Sequence, residues 1–339
     1  MNSQTATIPK AGDLARNWIS KWLADSNPVA TLKDMSFNLG VPLLALVAFC
    51  LLWAGVASKV QTSLGQLPGP TMVWGQAMTL YQEHKAEREK EAAFYERQEQ
   101  RNAEKLAADP NADVKIRPYT GKPTFIDQIK TSLFTVATGF LLAALIAIPV
   151  GIVCGLNSGL YRAFNPLIQI FKPVSPLAWL PIVTMVVSAL YVSDDPMFSK
   201  SYLNSAITVM LCCVWPTIIN TTVGVASVDK DLLNVSRVLR LSWFTNVIKI
   251  VIPSAIPMIF TGLRVSLGIG WMVLIAAEML AQNPGLGKFV WDEFQNGSSD
   301  SLARIMAAVF TIGIIGFLLD RIMLGIQRWV SWDKAANLR

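Results

Sequence analysis

Residues 226–257 read ASVDKDLLNVSRVLRLSWFTNVIKIVIPSAIP and form a polar interruption between two long apolar runs. Asp229 is placed to cap a short helix, Asp231 lies in its first turn and Arg240 lies near its end, an order that suits the helix dipole. One face of this helix is mostly apolar and consists of Leu232, Ser236, Leu239 and Trp243. We therefore predict a helix over residues 231–241 that lies outside the bilayer and binds a partner.

The same stretch resembles the cytoplasmic EAA motif of binding-protein-dependent ABC importer permeases. In that motif Glu-Ala-Ala is followed after three residues by Gly, and after nine more by Ile-x-Leu-Pro. Here Asn-Val-Ser at 234–236 stands for Glu-Ala-Ala, Arg240 stands for Gly, and Ile-Val-Ile-Pro at 250–253 ends the motif. Because Arg accepts a positive φ less readily than Gly, we expect Arg240 to disturb the turn. An ordinary amphipathic surface helix is the alternative.

The resemblance implies that this loop contacts an ATPase subunit. The residues assigned to that contact are Asp231, Leu232, Asn234, Val235, Ser236, Leu239, Arg240, Ile250 and Pro253.

Composition indicates a membrane protein. The 339 residues are 53% hydrophobic and 15% charged, with a mean hydropathy of +0.42, which is too apolar for a soluble protein. The net charge of +6 is dispersed among apolar segments and forms no basic stripe, so nucleic-acid binding is not predicted. All four cysteines lie in apolar runs without a CxxC pair, so we predict neither a disulfide framework nor a metal site.

Six apolar runs predict an all-α polytopic membrane protein with six transmembrane helices. We place these helices near residues 37–57, 133–156, 173–192, 202–225, 258–281 and 303–319. The third is expected to be broken, since Pro173, Pro176 and Pro181 prevent one straight helix.

The predicted spans divide the chain into segments. These are a cytoplasmic N-terminal segment (1–36), the first transmembrane helix (37–58), an extracytoplasmic charged helical insert (59–132), a permease core with the coupling loop at 226–257 (133–328) and a cytoplasmic tail (329–339).

The insert is predicted to contain one long solvated helix from Thr71 to Ala108. Opposite charges at helical spacing, such as Lys85 with Glu89, support the helix. A charged helix of this kind is usually a solvated face, and docking of a partner protein is the alternative. His84, the single histidine, is expected to be a surface residue.

The distribution of basic residues predicts the orientation. Basic residues concentrate in the loop after the second span, in the coupling loop and in the C-terminal tail, whereas the alternate short loops are acidic. The positive-inside rule then places both termini and the coupling loop in the cytoplasm, with the insert outside.

Four residues are candidates for the translocation path. Lys172 directly precedes the broken span and Trp179 lies among its prolines, where non-helical backbone is tolerated only against protein or water. An elbow at the membrane interface is the alternative for these two residues. Arg264 and Glu278 are charges within the fifth span, and snorkelling to the interface is the alternative for each. Arg264 would attract an anion, while Glu278 is more simply structural. A small-residue seam of Gly262, Ser266 and Gly270 on the same span predicts close helix packing.

The sequence lacks the motifs of ATP-binding proteins and of several enzyme classes. The segment Gly285-Leu-Gly-Lys288-Phe289 lacks the glycine spacing and the Ser or Thr of a P-loop, so this chain is not predicted to bind ATP by that route. GxSxG, HExxH and Cys-His constellations are absent from the sequence, so an enzyme is not predicted. A gradient-driven secondary transporter is the alternative class, although the two halves show no inverted repeat.

The resemblance extends from about residue 67 to residue 328. Thr-Gly-Leu-Arg at 261–264, Ala-Ala-Glu-Met-Leu at 276–280 and Pro-Gly-Leu-Gly at 284–287 are similar to the nitrate, sulfonate and taurine branch of these permeases. The charged insert and Phe-Lys-Pro-Val-Ser-Pro-Leu-Ala-Trp-Leu-Pro at 171–181 resemble cyanobacterial nitrate and bicarbonate permeases.

The resemblance implies a type I ABC importer permease fold in a bacterial, cyanobacterial plasma membrane. It implies a homodimer of permease copies, two cytoplasmic subunits that bind ATP and Mg²⁺, an extracytoplasmic substrate-binding protein and no cofactor in this chain. The implied substrate is nitrate or nitrite, with bicarbonate, a sulfonate or taurine as alternatives.

Overall fold

The computed structural model describes residues 28–62, 65–109, 114–192, 196–298 and 300–330. The predicted N-terminal cytoplasmic segment falls largely outside these residues, as does nearly all of the predicted tail. The chain divides into two compact units that meet between Thr71 and Met72, and each is described by itself.

The first unit contains a helix and a small hairpin. Helix α1 spans Pro28–Ala57, and strands β1 (Gln61–Thr62) and β2 (Gly65–Gln66) pair antiparallel. From Gly40 onward α1 is apolar enough to cross a membrane and almost none of it is buried within the chain. A helix apolar on all sides matches the predicted first transmembrane helix.

The second unit is built from helices. They are α2 (Pro70–Ala108), α3 (Phe125–Leu156), α4 (Ser158–Phe171), α5 (Pro176–Leu190), α6 (Lys200–Ala226), α7 (Lys230–Val238), α8 (Trp243–Asn246), a π-helix (Val247–Val251), α9 (Ile252–Ala281), α10 (Leu286–Asn296) and α11 (Ser301–Val330).

The number of spans agrees with the sequence prediction. Among the described residues five helical segments can cross a membrane, and a sixth is present if α4 and α5 form one span bent by 101°. The bend falls where the prolines are: Pro176 opens α5, and the Ser175 side chain caps it by accepting from the Leu177 amide at 3.3 Å. The break at Pro173 and Pro176 is as predicted, because these residues cannot continue α4. The expectation for Pro181 was wrong, since α5 runs through it without interruption.

Helix α6 occupies the middle of the second unit, where it packs against α3 and α9. The α9 seam lies against it: the Ser266 hydroxyl contacts Thr217 Oγ1 at 2.6 Å and donates to the Cys213 carbonyl oxygen at 2.7 Å. A Cβ built on Gly270 would approach Cys213 Sγ to 2.6 Å, so only glycine permits this approach. The predicted small-residue seam is confirmed, and it lets α6 and α9 come together closely.

The charged insert forms the long helix that the sequence predicted, but one face of it is covered. His84 Nδ1 lies 2.6 Å from Thr124 Oγ1, and Tyr119 donates to Glu87 at 2.8 Å. The His84 side chain is only 16% exposed, so its assignment to the surface was wrong. The segment before α3 folds back along α2, and a local charge pattern does not reveal such a long-range contact.

Arg304 ties α2 to the start of α11. Its guanidinium donates to Glu83 at 2.7 Å and to Glu293 of α10 at 2.7 Å, so one side chain joins three helices. Glu293 also accepts from the Ser301 hydroxyl at 3.1 Å. A cavity of about 390 Å³ lies beside these contacts, between α2, α3 and α10.

Candidate coupling surface and translocation path

Helix α7 is capped as its sequence predicted. The Asp229 carboxylate accepts from the Asp231 amide at 2.8 Å, and Arg237 lies in the last turn near the negative end of the helix dipole. The helix ends at Val238, three residues before the predicted end. The reason is a tight turn at Arg240 that stops the helix.

The turn has the hydrogen bonds of a Schellman motif. The Leu241 amide donates to the Ser236 carbonyl oxygen at 3.1 Å, and the Arg240 amide donates to the Arg237 carbonyl oxygen at 3.0 Å. Arg240 has a φ of 49°, in the left-handed region that glycine prefers. The expectation that Arg240 would disturb the turn was wrong, because the two hydrogen bonds hold its backbone in the conformation that the family glycine would take.

The loop presents an apolar patch, here called the coupling surface. It consists of the exposed side chains Leu232, Val235, Val238, Leu239, Trp243 and Phe244. Val238 is the most exposed of them at 82%, and the sequence did not single it out. Ser236, predicted on the same face, is 5% exposed and lies on the inner side of α7. The true apolar face is thus turned relative to the predicted one.

The other coupling candidates surround or support this patch. Asp231 is exposed, and the Asn234 side chain accepts from Arg237 at 3.3 Å. Ile250 packs against the hydrophobic core from the π-helix, so it supports the loop from within. Pro253 is exposed and lies near the start of α9.

A helical connection joins the coupling surface to a transmembrane helix. From α8 the chain passes through the π-helix directly into α9, and residues from Trp243 to Ala281 form a single candidate span. Val247 and Val251 of the π-helix are buried in the core. Displacement of Trp243 and Phe244 would therefore be transmitted to α9 through packed side chains.

Arg264 pairs with an aspartate that the sequence analysis did not assign to the path. Its Nη2 and Nε donate to Asp320 Oδ1 at 2.8 and 3.1 Å, joining α9 to α11. The Arg264 side chain is 31% exposed and the Asp320 side chain is 36% exposed. Asp320 directly follows the predicted sixth span at 303–319.

Glu278 is fully buried and anchors the turn after α9. Its carboxylate accepts from the Ser132 hydroxyl at 2.8 Å and from the Gly287 amide at 3.0 Å. Ser132 in turn accepts from the Leu286 amide at 2.8 Å. These contacts fit a structural role for Glu278, because its carboxylate oxygens accept hydrogen bonds from α3 and from the start of α10.

Lys172 and Trp179 lie on either side of the bend between α4 and α5. Lys172 is exposed and caps the end of α4, where its amide donates to the Ile168 carbonyl oxygen. Trp179 is half-buried, and its ring contacts Phe171 with centroids 5.7 Å apart. Phe171 also stacks on Trp215 of α6 at 5.7 Å. An aromatic cluster therefore fixes the bend against α6.

Residues 147–332 match the model of the family described as binding-protein-dependent transport system inner membrane component. The matched region covers more than half of the chain and contains both the coupling surface and the Arg264–Asp320 pair. The chain belongs to this family. The permease is thus a membrane subunit of an ABC importer, which works with ATP-binding subunits and a substrate-binding protein.

Two of the named relatives are cyanobacterial permeases. The permease is 39% identical over 223 residues to the nitrate import permease protein NrtB of Synechococcus elongatus, covering 63% of this chain and 76% of the relative. It is 35% identical over 291 residues to the bicarbonate transport system permease protein CmpB of the same organism, covering 86% and 88%. The permease is therefore related to both kinds of transporter.

A solved structure supports the fold. The permease matches a chain from inward-facing conformations of the MetNI methionine ABC transporter with a TM-score of 0.52 and 14% identity, covering 61% of this chain and 96% of that chain. The likeness confirms the type I importer permease fold. In ABC importers the ATPase is a separate subunit, so this chain is not an enzyme. Its family membership also decides against the alternative class, a gradient-driven transporter.

Proposed function

We propose that the permease forms the membrane path of an ATP-driven importer for nitrate, with nitrite as a second substrate. The observation that carries this is the 39% identity to a nitrate import permease. Bicarbonate is the second candidate. The alignment with a bicarbonate permease spans 86% of the chain, whereas the alignment with the nitrate permease spans 63%. Both are small oxyanions, and a fixed cation such as Arg264 offsets part of the cost of moving either one through a low-dielectric path.

Two copies of the permease would enclose the path as a homodimer in the inner membrane of a bacterium, by its relatives a cyanobacterium. Both termini and the coupling loop would face the cytoplasm, as the distribution of basic residues indicates. ATP and Mg²⁺ would be bound by the partner subunits, and this chain would hold no cofactor.

The coupling surface would bind a groove of one ATPase subunit. Leu239, Trp243 and Phe244 would supply apolar contacts, and Asp231 and Asn234 would form part of a polar rim. When the ATPase subunits close on ATP, α7 would move with them. The π-helix, whose Val247 and Val251 are buried, would pass this rigid-body motion to α9, which carries Arg264.

The four path candidates would have different roles. Arg264 would attract the anion, and Arg264→Gln should impair uptake while assembly is retained. Lys172 and Trp179 would border the path at the broken span. Glu278 would hold the outer turn, since a carboxylate facing the path would repel the same anion.

Uptake by a reconstituted complex tests the substrate. The permease, its ATPase subunits and its binding protein are placed in vesicles with ATP inside or outside, and labelled nitrate is added with nitrite, bicarbonate or taurine as competitors. We expect ATP-dependent accumulation of nitrate, competed by nitrite. Accumulation of bicarbonate without nitrate would contradict the substrate, and uptake that needs only an ion gradient would contradict the ATP-driven mechanism.

A further inference from the structure

A cluster of three charges lies where α9 meets α11. Arg264 of α9 holds Asp320 Oδ1 at 2.8 Å, and Arg321 holds the other oxygen, Oδ2, at 3.1 Å. The Arg321 guanidinium also lies over the Phe317 ring, 5.1 Å from its centroid. Each oxygen of the carboxylate therefore has one arginine, and the cluster carries one positive charge in excess.

Other contacts hold these two helices together without the ion pair. The Trp271 indole donates to the Ile312 carbonyl oxygen at 2.9 Å, and the Gln327 amide donates to the Pro257 carbonyl oxygen at 3.4 Å. They lie on either side of Arg264 along α9. The α9–α11 contact thus does not depend on Arg264 and Asp320 alone, which allows the pair to open while the helices stay packed.

The surroundings of the pair indicate access to water or to protein. The side chains of Arg264 and Asp320 are 31% and 36% exposed, although both lie on helices long and apolar enough to cross the membrane. A charge in contact with lipid tails is costly, and intramembrane charges therefore face a watery cavity or a protein neighbour. A cavity of about 40 Å³ adjoins both side chains and is lined also by Trp271, Gly268 and Gly316. It is large enough for a water molecule.

We propose that Asp320 is the internal counter-ion of Arg264, and that a small transported oxyanion replaces Asp320 on the Arg264 guanidinium. The proposal rests on the proposed function, because it assumes that the substrate is an anion. A guanidinium binds planar oxyanions with the same two-donor geometry that it offers to a carboxylate. Asp320 is a positioning residue, since it acts through Arg264 and not by touching the substrate.

A competing carboxylate has a physical advantage in a transporter. An unpaired Arg264 in a low-dielectric site would hold an oxyanion too tightly to release it, whereas conduction requires a site that the ion can leave. When Asp320 returns to Arg264, the anion is displaced. Because the pair joins α9 to α11, a rearrangement of α9 driven by the coupling loop would open or close it.

The test measures anion binding directly. The purified complex of permease and ATPase subunits, without the binding protein, is dialysed against labelled nitrate at constant chloride. We expect Asp320→Asn to lower the nitrate Kd by about tenfold, which is about 1.4 kcal/mol, while its maximal uptake rate falls because release is slowed. Arg328→Gln, which removes an exposed arginine from the same helix, is the matched control and should leave the Kd unchanged.

A second variant separates binding from structural support. Arg264→Gln alone leaves the Asp320 carboxylate without its α9 partner, so it is combined with Asp320→Asn to give a neutral pair that can still hydrogen bond. We expect this double variant to assemble and to lose nitrate binding. Wild-type affinity in the double variant, or an unchanged or raised Kd in Asp320→Asn, would overturn the counter-ion proposal.

The same series with bicarbonate and taurine distinguishes the two proposals. If Asp320→Asn tightens the binding of bicarbonate and the wild-type complex takes up no nitrate, the nitrate assignment fails and the role of Asp320 stands. If nitrate is taken up with ATP while Asp320→Asn leaves the Kd of every anion unchanged, the transport function stands and the counter-ion role fails.

Discussion

The Leu241 amide reaches back to the Ser236 carbonyl oxygen at 3.1 Å and closes the end of helix α7 over Arg240. This single bond sets the direction in which the chain leaves the coupling helix. Leu239 lies before this turn and Trp243 and Phe244 lie after it, and all three side chains are exposed. The geometry of the coupling surface therefore depends on a left-handed residue at position 240.

The backbone of Arg240 gives the first prediction. Arg240→Gly should be tolerated, with full ATPase stoichiometry, because glycine takes φ of 49° without steric cost. Arg240→Val should destabilise the turn by about 1–2 kcal/mol, since a β-branched residue is an outlier at positive φ. Co-purification of the ATPase and the melting temperature of the complex provide the measurement. Equal behaviour of the two variants would show that the turn does not need this conformation.

The coupling surface gives the second prediction. Leu239→Asp should strip the ATPase subunits from the purified complex, because it places a charge in the centre of an apolar contact worth about 2 kcal/mol or more. Ile116→Asp is the control, since Ile116 is 76% exposed but lies in the insert and not in the coupling loop. Size-exclusion chromatography with subunit quantification decides the outcome. Retention of the ATPase at full stoichiometry in Leu239→Asp would refute the docking role.

The buried carboxylate of Glu278 gives the third prediction. A Cβ added at Gly285 would overlap the Glu278 carboxylate, so Gly285→Ala should destabilise the permease by about 1–3 kcal/mol. Gly313→Ala is the control, because open space surrounds that position on α11. Thermal unfolding in detergent compares the two. If Gly285→Ala melts with the wild type, the turn after α9 is looser than these contacts indicate.

The contact between Tyr119 and Glu87 gives a pH prediction. The hydrogen bond from Tyr119 lowers the pKa of Glu87, and the same bond raises the pKa of Tyr119. The lowered pKa of Glu87 means that its contribution is lost as pH falls through that pKa, and the raised pKa of Tyr119 means that its contribution is lost as pH rises through that one. The contact should therefore stabilise the insert fully between the ordinary values of about pH 4.3 and 10. Its contribution is lost only below the lowered pKa of Glu87 or above the raised pKa of Tyr119.

Ultraviolet titration of the tyrosines checks this expectation. The wild-type curve minus the Tyr119→Phe curve gives the ionisation of Tyr119, and we expect its midpoint above the ordinary tyrosine value of about 10. Tyr81→Phe removes an exposed tyrosine from α2, the helix that carries Glu87, and controls for the number of tyrosines. A Tyr119 midpoint at or below 10 would mean that Glu87 does not accept its hydroxyl in solution.

Local pattern was enough to find the elements of this fold. Uninterrupted apolar runs located the spans, since the bilayer requires about twenty apolar residues in a helix. Pro173 and Pro176 located the break, because proline removes a donor and clashes with the preceding turn. Asp229 located the start of α7 through its cap. In each case the cause lies within a few residues of its effect, so the sequence alone sufficed.

Long-range contacts had to come from the tertiary structure. Arg264 and Asp320 are 56 residues apart in the chain, and Ser132 and Glu278 are 146 apart. The periodicity of one helix does not state which side chain of another helix will face it. The same limit explains why Ser236 was assigned to the outer face of α7 while Val238 was missed.

The sequence by itself therefore determined the class of the protein, its helices and the position of the coupling loop, because hydrophobicity, proline and capping act locally. The tertiary structure decided which apolar side chains the loop exposes, and it brought Asp320 of α11 into contact with Arg264 of α9. Those outcomes depend on how helices pack, and packing joins residues whose separation in the chain carries no signal.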